Sequence, residues 1–121
     1  MYGIFKGNNM LEKVVKNGNV AILITNEYGA GWSSWNDIEG IETDPGLVAL
    51  VERTAEPEEI ETYCKDKWGT FNTRCAGKSN YYGGACNLSI VWVPEGTEYV
   101  ITEYDGWEEI QFKDSFEWRT A

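Results

Sequence analysis

The sequence predicts an α+β domain: an antiparallel β-meander sheet with about two helices packed on one face. Three observations predict it. The last third of the chain holds apolar strand-length runs separated by preferred turns, and the middle holds two segments with helix-start signals. The third is length, since 121 residues suit one domain and are too few for two comfortable ones. Residues 1–121 therefore read as a single domain, with 1–16 a candidate oligomerisation arm.

The elements follow in order. Within 1–16, Met10, Leu11, Val14 and Val15 fit one face of a short helix, and a strand pair turning at Asn8-Asn9 fits nearly as well. Asn17-Gly18-Asn19 is a strong turn signal. Val20-Ala21-Ile22-Leu23-Ile24 is a continuous apolar run of strand length, which predicts burial on both faces. Asp44-Pro45 announces a helix, with Asp as N-cap and Pro at the first helical position, and Leu47, Val48, Leu50 and Val51 follow at helical spacing. A second helix starts at Glu56-Pro57 and runs to about Trp68. Its first turn is acidic and its end carries Lys65 and Lys67, as the helix dipole prefers.

Residues 69–80 read as a loop. With Lys65, Lys67, Arg74 and Lys78 close together, this is the least acidic stretch, and Arg74 and Lys78 are candidates for a second anionic site. Beyond it, Leu88 to Val93 is a strand, Pro94-Glu95-Gly96 a turn and Thr97 to Glu103 a second strand. Asp105-Gly106 is a preferred two-residue hairpin turn, and Trp107 to Phe112 returns.

Composition narrows the function. The chain has 20 acidic against 10 basic residues, a net charge of −10. Sequence-independent affinity for nucleic acid comes from neutralised phosphates, so genomic DNA or long RNA is not an expected partner. A small anionic ligand remains compatible, since backbone N–H groups and one or two local cations can hold it. Six Trp, seven Tyr and four Phe are a high aromatic content, and rings serve cores and binding faces alike, so some are expected to work on a ligand or a second subunit.

Three cysteines, Cys64, Cys75 and Cys86, lie eleven residues apart in a spacing that matches no zinc pattern, and the chain contains no His. No metal or cofactor is expected. An odd cysteine count without a signal peptide predicts reduced thiols and a cytoplasmic protein. No apolar run approaches the roughly 18 residues of a membrane span. Without imidazole, the Ser-His and Cys-His nucleophile systems are absent, so a binding protein is expected rather than an enzyme.

Four segments are candidates for the binding chemistry. In Gly29-Ala30-Gly31-Trp32-Ser33-Ser34-Trp35-Asn36, glycines let the backbone approach a ligand, successive N–H groups can form an anion nest, and Ser33 and Ser34 add hydroxyls. It lacks the Gly-Lys-Ser/Thr ending of a Walker loop and the third glycine of a dinucleotide fingerprint. The plainer reading is a tight turn with two core Trp anchors. In Asn80-Tyr81-Tyr82-Gly83-Gly84-Ala85, a base can stack on Tyr81 or Tyr82 beside Gly83, or one tyrosine packs inward and the other faces water. Glu103-Tyr104-Asp105-Gly106 offers carboxylates to a ribose diol or exocyclic amines, if it is more than a turn. Phe116-Glu117-Trp118-Arg119 puts a cation beside rings, fit for a phosphate or a stacked base.

These segments, in order, resemble the phage anti-Thoeris sponge family. The resemblance rests on Gly29 to Asn36, Asp44-Pro45-Gly46-Leu47-Val48, Tyr82-Gly83-Gly84-Ala85, Leu88 to Thr97 and Ile101-Thr102-Glu103-Tyr104-Asp105-Gly106. It runs from about residue 20 to the C-terminus and leaves out Cys64 to Lys78. It implies a phage-encoded protein that sequesters, without degrading, the cyclic ADP-ribose isomers made by TIR-domain proteins of bacterial Thoeris defence. It further implies a homo-oligomer, dimer or hexamer, with pockets between subunits, and cyclic oligonucleotides at separate sites in some relatives. The expected site residues are then Gly29, Gly31, Trp32, Ser33, Ser34, Tyr82, Gly83, Asp105 and Arg119. The competing readings are an acidic protein-binding inhibitor of a host defence protein, a carboxylate enzyme that opens a cyclic nucleotide, and a structural virion component.

Overall fold

The computed structural model describes residues 12–69 and 81–112. The α+β class holds, with two helices and antiparallel sheets. Strands β1 (Val15–Lys16), β2 (Asn19–Thr25) and β3 (Leu88–Pro94) form one sheet in the order β1-β2-β3; β4 (Tyr99–Tyr104) and β5 (Trp107–Phe112) form a separate hairpin. Helices α1 (Pro45–Glu52) and α2 (Pro57–Trp68) lie between β2 and β3 in sequence.

β2 is the centre of the molecule, and its apolar run is buried on both faces as its sequence requires. Ala21 and Leu23 join Leu47, Val48, Ile60, Cys64, Trp32 and Ile41 in a core beneath the helices. On the opposite face, Val20, Ile22, Ile24 and Val93 meet Tyr99, Ile101, Ile110 and Phe112 of the hairpin. The result is three layers: helices, the three-stranded sheet, then the β4–β5 hairpin.

This arrangement corrects the meander. β3 does not pair with β4. It pairs with β2 in a seven-residue register from Asn19↔Pro94 to Thr25↔Leu88. The reason lies in the apolar content of both strands: β3 gains more by covering the backbone of β2 than by laddering with the half-polar β4. The chain then turns at Pro94–Thr97, where the Thr97 N–H donates to the Pro94 carbonyl at 3.1 Å, and stacks the hairpin on the sheet instead of extending it.

The local signals act where the sequence puts them. Asn17 and Gly18, with φ of 54° and 79°, join β1 to β2; Asp105 and Gly106, with 50° and 91°, join β4 to β5. The Asp44 side chain caps α1 by accepting from the Leu47 N–H at 3.1 Å, and Pro45 and Pro57 open the two helices. The part of 1–16 that is described ends in the short strand β1, while residues 1–11, including Asn8-Asn9, lie outside the described residues.

Candidate functional site

The donors of the β2 edge away from β3 define how the Gly-rich loop is built. The N–H groups of Ala21 and Leu23 donate to the carbonyls of Val14 (3.0 Å) and Glu42 (2.7 Å). At Thr25 no backbone takes over. A side chain does: the Thr25 N–H donates to Oε1 of Glu108 at 3.1 Å, and the Thr25 hydroxyl donates to the Gly106 carbonyl at 3.0 Å.

Glu108 is fully buried. Its second oxygen, Oε2, accepts from the N–H of Trp32 (2.9 Å), the N–H of Ser34 (2.9 Å) and the Ser34 hydroxyl (2.5 Å). The Glu108 carbonyl also accepts from Asn26 Nδ2 at 2.8 Å. A buried carboxylate is stable only when its lone pairs are met, and here four donors meet them. The anion nest expected of this loop therefore exists, but its occupant is a carboxylate of the protein itself. Pyrophosphate binding by the N–H groups of Trp32 and Ser34 is correspondingly closed.

The other expected residues divide between core and surface. Trp32 is fully buried, with its indole N–H donating to the Ile41 carbonyl at 3.2 Å. Tyr82 is buried beside it, ring centroids 6.2 Å apart, and its hydroxyl donates to the Gly69 carbonyl at 2.5 Å. Both are anchors beneath the loop, not exposed ring faces, in keeping with the plainer reading of the two segments. The reason is volume: two large rings fill the space between β2 and the helices. Gly29 and Asp105 come together, the Gly29 N–H donating to the Asp105 carbonyl at 2.5 Å. Gly106 packs so closely that a β-carbon there would lie 2.5 Å from the Ala30 nitrogen. Arg74, Lys78, Cys75 and Arg119 lie outside the described residues.

Gly31 and Gly83 are glycines for a reason that the sequence did not indicate. The Trp35 ring lies over Gly31, where a β-carbon would fall 2.6 Å from Cδ1, and the Tyr81 ring lies over Gly83 in the same way. The two rings approach each other, centroids 5.2 Å apart and planes at 51°. Asn36 ties the backbone of the Trp35 loop to that of Tyr81: its Nδ2 donates to the carbonyls of Tyr81 (2.7 Å) and Trp32 (2.9 Å), and its Oδ1 accepts from the Tyr81 N–H at 2.6 Å. Trp35 remains 36% and Tyr81 38% exposed, so the pair forms a supported aromatic shelf.

A groove of about 530 Å³ borders the same loop, with Ser33, Ser34, Asn36, Glu42, Tyr99 and Val100 in its walls. Burial, then the neighbouring Glu42, pushes the Tyr99 phenol up to about 12, so it stays protonated and donates to Glu42 Oε2 at 3.3 Å. On the hairpin side, Glu103 Oε2 accepts from the Gly106 N–H (2.8 Å) and from the Trp35 indole N–H (3.1 Å), and these two bonds, in that order, lower its pKa.

A second polar cluster joins the two helices. Asp44 accepts from the Tyr63 hydroxyl at 2.6 Å and from Lys67 Nζ at 2.5 Å as well as from Leu47. Burial raises the Asp44 pKa, but the bonds from Lys67, Tyr63 and the Leu47 N–H outweigh it and hold the carboxyl below its ordinary value. The Tyr63 ring covers Gly46, which leaves no room for a side chain there.

Two kinds of residue escaped the sequence reading. Glu108 carries a signal after all: in β5 it alternates with the exposed Glu109 and shares the inward face with Ile110 and Phe112. A charged residue on an apolar face needs partners, and that alone marks it. Trp35 carries none, because nothing local separates an exposed ring from a buried one. No protein-family model, no curated protein and no solved structure matches the chain.

Proposed function

We propose that the protein is a sponge that binds a cyclic ADP-ribose-type nucleotide in the host cytoplasm and holds it uncleaved, so blocking Thoeris immunity. The observation that carries this reading is the Trp35–Tyr81 shelf, two partly exposed rings pinned by glycines and by Asn36 beside the Ser33–Ser34 groove. A purine gains about 1–3 kcal/mol from such stacking, and rings already held by packing and hydrogen bonds have less side-chain freedom to lose on binding. Ser33 and the carboxylate of Glu42 line that groove and suit ribose hydroxyls and the exocyclic amine. The pyrophosphate falls to cations, for which Arg119, or Arg74 and Lys78, are the sequence candidates.

Sequestration also requires enclosure, since tight small-molecule sites bury most of the ligand. The groove and shelf are open on one chain. A second subunit closing over them, in a dimer or hexamer, would supply the missing wall. With no imidazole in the chain, the reading involves no catalysis.

One observation favours a second reading. Exposed Trp and Tyr beside carboxylates, on a chain of net charge −10, also suit a basic protein surface, as an acidic protein-binding inhibitor would require. Incubation with cyclic ADP-ribose isomers, removal of free nucleotide, heat denaturation and chromatography separates the two. Intact nucleotide released only by denaturation, and lost in Trp35→Ala, is the expected result. Nucleotide that never leaves free solution overturns the sponge and directs the search to protein partners.

A further inference from the structure

The outer face of the β4–β5 hairpin carries a second aromatic group, separate from the shelf. Tyr104 and Trp107 face each other across the ladder on either side of the turn. Tyr28 joins them because the Gly29–Asp105 hydrogen bond ties the loop after β2 to the hairpin turn. Tyr28 is 63% and Tyr104 77% exposed, so both rings are open to a ligand.

Their arrangement has a definite shape. Tyr28 and Tyr104 stand nearly perpendicular, at 86° with centroids 6.3 Å apart; Tyr28 and Trp107 are 5.1 Å apart at 41°. Three non-parallel planes make a corner, not a slot. With Thr102, Glu103 and Glu109 the rings line a cavity of about 450 Å³. Among the described residues no lysine or arginine lines it, and both charged residues that do are carboxylates. Each is held in place by an indole: Trp107 donates to Glu109 Oε2 at 3.2 Å, and Trp35 to Glu103 Oε2 at 3.1 Å.

The chemistry of such a corner is selective. Ring faces carry negative charge density, and the two carboxylates add to it, so a phosphate is repelled and a cation is attracted. A flat base stacks on one ring face at a time, whereas a rounded, weakly hydrated ammonium touches several inclined faces at once. We propose that the Tyr28–Tyr104–Trp107 corner is a binding site for a small organic cation of the alkylated-ammonium class. It does not rest on the nucleotide reading, although the Trp35–Glu103 hydrogen bond links the two aromatic groups.

The test uses the full chain and the Trp107 indole N–H resonance, identified by its loss in Trp107→Phe. Choline is titrated beside its neutral isostere 3,3-dimethylbutan-1-ol at constant ionic strength. Choline is expected to shift the resonance saturably and to bind at least about fivefold more tightly than the isostere. Tyr104→Ala, a substitution at an exposed ring, is expected to weaken choline at least about fivefold while the remaining spectrum stays folded, and Glu109→Gln to weaken it about twofold. A trimethyl-lysine peptide that binds about tenfold more tightly than choline would identify a modified protein side chain as the source of the same cation. Equal affinity for choline and the isostere, or a resonance that choline does not move, overturns the proposal.

Discussion

Ser34 gives both its backbone N–H and its hydroxyl to one oxygen of Glu108, at 2.9 and 2.5 Å. The loop that carries the candidate site is therefore shaped by a residue of the last described strand, more than seventy positions away. The same carboxylate holds Trp32 and Thr25, so removing it leaves three buried or half-buried N–H groups unmet. Glu108→Ala should cost about 3 kcal/mol or more, since each such group costs about 1–3 kcal/mol. Glu108→Gln should recover only part of this, because an amide presents one oxygen where two are used. Urea unfolding of the three proteins checks the order.

The ring-over-glycine contacts predict a paired effect. Gly31→Ala drives a methyl into the Trp35 indole and should destabilise by about 1–3 kcal/mol, the usual cost of overpacking. Adding Trp35→Ala removes the obstacle, so the double variant should be more stable than the sum of the single effects requires. A double-mutant cycle by thermal unfolding measures the coupling.

Asp44 predicts an acid-side pH dependence. Its folded pKa is depressed, so its contribution is complete above the unfolded value of about 3.9 and is lost as the pH falls through the folded value. Asp44→Asn cannot titrate. The stability gap between the wild type and Asp44→Asn should thus be widest near neutrality and narrow as the pH drops from about 5 into the acid range. Denaturant midpoints at several pH values check the sign, and a gap that widens in acid would sink the assignment.

The cysteines predict a reactivity contrast. Burial, then Asp44 and Glu61, push the Cys64 thiol up to about 12, whereas Cys86 is exposed. In a Cys75→Ser background, a thiol reagent at neutral pH should modify Cys86 in the native protein and Cys64 only after unfolding. Mass spectrometry of the labelled chain, with and without denaturant, reads the outcome directly.

Legibility in the sequence followed the range of the interactions. Asn17-Gly18 and Asp105-Gly106 declared their turns because the left-handed backbone they need is a property of those residues alone. Asp44-Pro45 and Glu56-Pro57 declared their helices for the same local reason, and Val20 to Ile24 its double burial. The partner of β3 was not legible, because choosing β2 over β4 compares surfaces far apart in the chain. Glu108 and Glu109 look alike in a chain with 20 acids, and only the facing of β5 separates the buried one from the exposed one. The site residues divided likewise: Gly31 and Gly83 sit where a site was expected, yet the atoms above them belong to Trp35 and Tyr81.

The double burial of β2 has a consequence for how the molecule comes apart. Val20, Ile22 and Ile24 belong to one core and Ala21 and Leu23 to the other, so a single backbone segment is shared by both. Lifting the hairpin uncovers β2 without freeing it, and loosening the helices does the same from the other side. Its amide protons should therefore exchange with solvent only through global opening and should be the slowest in the chain, with the β4–β5 hairpin exchanging earlier through its own detachment.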